Sequence, residues 1–231
     1  MDRDYVRRLA DEAHAEGDQT GWFERLYAEA QAGRAVVPWA DGTPNPHLLA
    51  WAAREGVSGS GRRALVVGFG GGEDAEYVSS LGFETVAFDI APSAVHAARR
   101  AYPDSTVEYV AADLLDPPAE WTGGYDLVVE IYTLQVLRDA VRAAAIGSLA
   151  DLVAPGGTLL VVARAAEEGV EPGPFPWPVT RDDIDAFAAH GLRPVRVEQF
   201  RDDEDPPKLR WRAEFLKPAE FLKPAEFTRP A

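Results

Sequence analysis

The sequence predicts an α/β fold of the nucleotide-binding type, in which strands and helices alternate around a mostly parallel sheet. Three observations predict it. The run Ala64-Leu65-Val66-Val67 is continuously apolar, as a strand buried on both faces must be. It leads at once into Gly68-Phe69-Gly70-Gly71-Gly72, a turn that tolerates positive φ and lets a ligand approach the backbone. Glu73-Asp74-Ala75-Glu76 follows, placing carboxylates where the positive end of a helix favours them.

The rest of the chain keeps this alternation. Residues 3–16 and 20–32 are read as helices, the second with Thr20 as its cap, an apolar face of Trp22, Phe23, Leu26, Tyr27 and Ala30, and Gly33 as its stop. A turn-rich stretch from Val36 to Pro46 leads into a third helix over 46–56, and Gly56 to Gly61 links it to the first strand. Residues 1–60 are thus a helical N-terminal segment, expected to form a lid over a pocket. Glu84–Asp89 is the second strand, and Ser93 is expected to cap a helix reaching Tyr102. Val107–Ala111 and Tyr125–Glu130 are the third and fourth strands. A helix over 138–152 and a Pro155-Gly156-Gly157 turn precede the fifth strand, Thr158–Ala163. After a Pro- and Gly-rich loop bearing Phe175 and Trp177, Thr180 is expected to cap a helix to His190. Residues 192–200 and 209–215 alternate as two late strands, joined by an acidic loop over 201–207 that is read as solvated. The core spans 61–216.

The spacing in the glycine turn narrows the ligand. A dinucleotide fingerprint started at Gly68 needs a glycine at position 73, which is Glu73; started at Gly70, it ends on Ala75, and this start keeps an NAD-linked reductase open. A phosphate-binding G-x-x-x-x-G-K-[ST] loop is absent. What remains is G-x-G-x-G with acids just beyond. Asp89 stands 21 residues after Gly68, where an acid accepts hydrogen bonds from ribose hydroxyls. Ile90 beside it can pack on an adenine ring. Asp113, after the third strand, can bind the exocyclic amine, with Leu114 against the ring.

This set resembles the class I S-adenosylmethionine (SAM) methyltransferases over about residues 20 to 216. The anchors are Gly68 to Gly72, Asp89, Asp113, Glu130 and Pro155-Gly156-Gly157. The resemblance implies a Rossmann-like, seven-stranded, mostly parallel sheet whose last strand is antiparallel and lies next to the fifth. It implies SAM as cofactor and S-adenosylhomocysteine (SAH) as product, held by Gly68, Phe69, Gly70, Asp89, Ile90, Asp113, Leu114 and Glu130. Carboxylates near the glycine turn suit a ligand that carries a sulfonium and an ammonium and no phosphate. Val37-Pro38-Trp39, Thr43-Pro44-Asn45-Pro46, Pro172-Gly173-Pro174-Phe175 and Arg210-Trp211 are similar to stretches of the thiopurine, thiol and halide methyltransferase group. That resemblance implies a small-molecule acceptor, a thiol or another soft or heteroaromatic nucleophile, with Tyr132, Gln135, Trp39 and Trp177 as contacts. O- or N-methylation of a small molecule and SAM binding without methyl transfer are the alternatives. Asn-Pro-Pro-Tyr is absent after the fourth strand, where Ile131-Tyr132-Thr133 stands, so methylation of nucleic-acid bases is disfavoured.

Composition bounds the remainder. A chain of 231 residues suits one sizeable domain. Its formal net charge of −15 disfavours nucleic acid and anionic membranes as partners. With no cysteine there is no thiol nucleophile or Cys-based zinc site, and no metal site is expected. The charged N-terminus and the lack of an 18-residue apolar run lead to the expectation of a cytoplasmic protein without a membrane span. The oligomeric state stays open, with a monomer as the default. Residues 217–231 continue a repeat, Ala-Glu-Phe-Leu-Lys-Pro at 213–218 and 219–224 with an altered third copy; a proline every six residues predicts a tail without regular structure beyond the first copy.

Overall fold

A computed structural model describes residues 3–170 and 175–219. Seven strands form one sheet in the order β3-β2-β1-β4-β5-β7-β6. They are β1 (Arg63–Val67), β2 (Glu84–Asp89), β3 (Glu108–Ala111), β4 (Tyr125–Ile131), β5 (Val153–Arg164), β6 (Arg193–Arg201) and β7 (Leu209–Leu216). β1 to β5 pair in parallel, while β7 runs antiparallel between β5 and β6. The predicted architecture is therefore the observed one, including the antiparallel last strand beside the fifth.

Alternation along each central strand explains why both sheet faces are apolar. Leu65, Val67, Phe88, Val128, Leu159 and Val161 face one core. Ala64, Val66, Ala87, Leu127, Val129, Leu160 and Val162 face the other. Successive strand residues point to opposite sides, so a sheet covered on both sides needs unbroken apolar runs. The first core is covered by α1 (Arg3–Ala15), α2 (Trp22–Gln31), α6 (Asp139–Leu152) and α7 (Arg181–Asp185). The second is covered by α3 (Pro46–Glu55), α4 (Glu73–Ser80) and α5 (Pro92–Ala101). Among the described residues, no helix is long and apolar enough to cross a membrane.

Several local expectations are corrected. Thr20 does not cap α2; Asp18 Oδ1 accepts the Thr20 and Gly21 amides at 2.9 and 2.7 Å, and the helix starts one residue later than a Thr20 cap would place it. Ser93 does not cap α5, which begins at Pro92. Its amide and hydroxyl instead donate to the two Glu24 carboxylate oxygens at 2.9 and 2.7 Å, so α2 caps α5 from outside. Thr180 does cap α7 through a capping box with Asp183. That helix changes to a 3-10 turn at Ala186, which runs to His190. Pro155-Gly156-Gly157 lies within β5, as an excursion between the Val153–Tyr125 and Thr158–Leu127 pairs. A Cβ on Gly157 would lie 2.9 Å from the Tyr125 carbonyl oxygen, so only glycine fits there. The first tail repeat completes β7, and the Lys217 amide and carbonyl still bond Gly157 and Gly156. The later copies lie outside the described residues, as do Pro172, Gly173 and Pro174.

Candidate active site

The carboxyl ends of β1, β2, β3, β4 and β5 open into one cavity of about 750 Å³, roofed by the N-terminal helical segment. Ligands of open α/β sheets bind at this edge, where loops rather than paired strands meet the solvent.

The glycine turn forms one wall. Gly68, Gly70 and Gly72 have φ of 61°, 60° and 100°, conformations that side chains strain. Space also excludes a side chain: a Cβ on Gly68 would lie 2.4 Å from Thr133 Oγ1, and one on Gly72 2.9 Å from the Tyr109 hydroxyl. The Gly68 amide donates to the Phe88 carbonyl at 2.8 Å, which pins the turn to the end of β2.

Asp89 ends β2 and is buried. Its Oδ1 accepts the Ala91 amide at 3.0 Å and its Oδ2 the Gly70 amide at 3.3 Å. Burial raises its pKa to about 6, against the lowering effect of those amides. Ile90, Asp113 and Leu114 line the cavity beside it. Asp113 Oδ1 accepts the Leu115 amide at 2.8 Å, which fixes the carboxylate at the start of the loop after β3. Glu73 and Asp74 line the cavity from the first turn of α4. Asp74 accepts the Asn45 amide at 2.7 Å, and burial raises its pKa to about 6.

The roof meets the glycine turn directly. The Trp39 indole donates to the Tyr27 hydroxyl at 2.9 Å. Both stand over Gly70, whose Cβ, if it had one, would touch Trp39 Cδ1 at 3.4 Å and the Tyr27 hydroxyl at 3.6 Å. Trp39 is thus placed over the glycine turn, with Phe23 in edge contact at 6.1 Å between ring centroids.

Across β4, Tyr132 and Gln135 line the cavity. Tyr132 has φ of 65°, unusual for a bulky residue and a form of strain that clusters at functional sites. Its ring lies 4.9 Å from the Arg210 guanidinium, and burial raises its phenol pKa while that charge opposes the rise. Gln135 Oε1 accepts the Arg164 amide at 2.7 Å, so this side chain also ties the loop after β4 to the end of β5.

Two expected contacts do not line the cavity. Glu130 is fully buried beneath it: Oε1 accepts the Thr133 and Leu134 amides at 2.6 and 2.9 Å, Oε2 has no partner, and burial raises the pKa to about 7. The apolar flanks of β4 turn this carboxylate inward, where it shapes the loop that carries Tyr132. Trp177 is likewise buried, in edge contact with His14 and Phe175 at 4.7 and 5.3 Å. Its carbonyl accepts Arg142 Nη2 at 2.9 Å and its amide donates to the Gln135 carbonyl at 2.8 Å, so it is a packing residue. Phe175 rather than Trp177 reaches the cavity.

Sequence reading missed Tyr27, Asn45, Thr133, Arg164 and Lys208, which line the cavity too. The roof's position brings Tyr27 and Asn45 there, the pairing of β5 with β7 brings Arg164 and Lys208, and neither has a local sequence signal; Thr133 directly follows β4.

Comparison with known proteins agrees with this geometry. Residues 64–157 match a methyltransferase domain family. The chain is 36% identical over 119 residues to a ubiquinone biosynthesis O-methyltransferase of Xanthomonas campestris pv. campestris, covering 51% of this chain and 48% of that protein. It is 36% identical over 150 residues to the protein so named in Xanthomonas oryzae pv. oryzae, covering 62% of each. The matched region thus spans about half the length of the first of these relatives. Among solved structures, one described as converting a disulfide bond into a thioacetal group during echinomycin biosynthesis superposes with a TM-score of 0.69 at 20% identity, over 86% of this chain and 94% of that one. A Burkholderia thailandensis 1,6-didemethyltoxoflavin-N1-methyltransferase, with 1,6-didemethyltoxoflavin and SAH bound, superposes with a TM-score of 0.64 at 16% identity, over 83% and 84%. At these identities the likeness concerns the fold. The sequence match is therefore to a methyltransferase domain over residues 64–157, and the solved structures share the fold.

Proposed function

We propose that the protein binds SAM over the ends of β1, β2 and β3 and methylates a small, planar acceptor at the β4–β5 side of the same cavity. The observation that carries this reading is Asp89, a buried carboxylate at the end of β2 held against the glycine turn. Its oxygens accept the Ala91 and Gly70 amides and retain capacity for further donors, as a ribose diol requires. Asp113 suits the adenine amine, with Ile90 and Leu114 as the apolar contacts for the ring. Glu73 and Asp74 offset the charge of a cationic ligand, and Phe69 lines the cavity within the glycine turn, its ring edge-on to Tyr109 at 4.9 Å. When bound, SAM supplies an electrophilic methyl group and leaves as SAH.

The chain's own contribution is placement. Glu130 fixes the Thr133 and Leu134 amides, which sets the strained Tyr132 and hence one wall of the acceptor space. Trp39, Tyr27 and Phe23 close the roof and exclude water, so the segment over 1–60 acts as the lid. Alignment of reacting atoms at roughly 3–3.5 Å provides most of the rate when the nucleophile needs little activation. No histidine lines the described cavity. That suits a thiol, with an ordinary pKa of about 8.5, or a heteroaromatic nitrogen or sulfur, as in the thiopurine, thiol and halide group. The O-methyltransferase relatives favour a second reading, a phenolic oxygen. The net charge of −15 supports a small molecule over nucleic acid.

The experiment is a methyl-transfer assay with labelled SAM against matched panels of small thiols, phenols and amines, and against RNA and DNA. Transfer into a small-molecule panel is expected. Transfer into nucleic acid alone contradicts the reading.

A further inference from the structure

The β5–β7 end of the cavity is cationic in a chain that is acidic overall. Arg164 and Arg210 are paired across these antiparallel strands, and both line the cavity. Like charges directly opposite on one sheet face are destabilising. Arg210 is neutralised: its Nε donates to Asp202 Oδ2 at 2.6 Å, and it also pairs with Glu204. Asp202 is also tied to its own loop, since its Oδ1 accepts the Lys208 and Glu204 amides at 2.7 and 3.2 Å. Arg164 has no such relief. Its amide is held by Gln135, but among the described residues its guanidinium has no hydrogen-bond or ion-pair partner. The Lys208 ammonium, half-buried where the chain enters β7, likewise has none. With 38 acidic residues against 23 basic ones, two cations at a cavity wall without a partner among the described residues are not a consequence of composition.

We infer that the acceptor carries a carboxylate, and that Arg164, assisted by Lys208, holds it at the β5–β7 end of the cavity. This rests on the proposed methyl transfer and names the class of its acceptor: a planar acid rather than a neutral aromatic. The guanidinium fork matches a carboxylate in two parallel hydrogen bonds. An anion there also relieves the repulsion between Arg164 and Arg210. Tyr132, stacked under Arg210, supplies a flat wall beside the charge. The acids suited to the donor, Asp89 and Asp113, lie at the β2 and β3 ends, on the far side of β1 and β4 from Arg164. The acceptor's charge is therefore read by groups separate from those that read the donor.

The test pairs acids with their neutral analogues: 4-mercaptobenzoate against thiophenol, and 4-hydroxybenzoate against phenol. Calorimetry of these probes into the SAH-loaded protein reads binding without turnover, and kcat/KM is measured in parallel. The wild type is expected to favour each acid by about tenfold or more, with a preference that weakens at higher salt. Arg164→Gln should reduce that preference about tenfold, and Lys208→Gln should reduce it less; thermal melting and SAH binding show that the variants are folded. Equal or better binding of the neutral analogues by SAH-loaded wild type overturns this inference alone. So does an Arg164→Gln variant in which SAH affinity falls while the acid preference persists, because Arg164 then holds the donor's carboxylate. Failure of the wild type to bind SAH overturns the proposed function, and this inference with it.

Discussion

Asp89 Oδ2 accepts a hydrogen bond from the Gly70 amide at 3.3 Å, so the end of β2 and the glycine turn after β1 form one unit. Burial holds the Asp89 pKa at about 6. An ionised carboxylate is the stronger acceptor for a ribose diol, and below that pKa the group carries a proton. SAH affinity should therefore weaken as pH falls from 7.5 to 5, by about tenfold at pH 5, where roughly one molecule in ten keeps Asp89 ionised. Calorimetry across this range measures it, with Asp89→Asn as the variant that loses the Asp89 contribution. A dissociation constant that stays constant in the wild type contradicts the assignment.

Gly70→Val should bind SAH much more weakly and also melt earlier. The valine must adopt φ near 60°, which costs about 1–2 kcal/mol, and its side chain meets Trp39 and Tyr27. Normal SAH binding by a folded Gly70→Val protein would mean that the turn does not approach the ligand.

The two tryptophans should behave differently. Trp39→Ala removes the roof over Gly70 and the hydrogen bond to Tyr27, so both SAH affinity and turnover should fall. Trp177→Ala should act on stability, by about 3–5 kcal/mol for a large buried aromatic, with SAH affinity preserved in the folded fraction. Chemical denaturation and calorimetry on both variants separate these outcomes. Loss of acceptor binding in a Trp177→Ala protein of unchanged stability would return that residue to the site.

Glu130→Gln should gain stability relative to the wild type as pH rises. The folded-state pKa of Glu130 is raised to about 7 by burial, above the unfolded value. A raised carboxyl contributes stability that is fully present below the unfolded pKa and is lost as pH rises through the folded one. Glutamine keeps the Oε1 acceptor and does not titrate. The difference in unfolding free energy between variant and wild type should grow between pH 4.5 and about 7, by up to roughly 3 kcal/mol. A difference that is constant over this range would mean that Glu130 stays ionised in the fold at low pH.

Much of this architecture is legible in the sequence because the central strands are buried on both faces. Ala64–Val67 and Leu127–Val129 are apolar at every position, and nothing but a covered strand explains that. The glycine turn and Asp89 were equally legible, since backbone conformation and strand-end position are local properties. Trp177 was misplaced because composition shows that an aromatic side chain packs, but not which side of a loop it packs on. The resemblance names Glu130 as a cofactor contact, whereas its buried carboxylate bonds the Thr133 and Leu134 amides and so satisfies a turn rather than a ligand. Arg164 was invisible because its meaning depends on its cross-strand partner Arg210, 46 residues away, and on the Asp202 pair that neutralises only one of them.

Titration of SAH and, separately, NAD into the wild-type and Asp89→Ala proteins tests the central claim most directly. The account predicts saturable binding of SAH by the wild type, about 10- to 100-fold weaker in Asp89→Ala, as loss of a charge-assisted hydrogen bond worth about 1.5–3 kcal/mol requires, and no binding of NAD. Saturable binding of NAD with none of SAH, or an unchanged SAH dissociation constant in a folded Asp89→Ala protein, would contradict it.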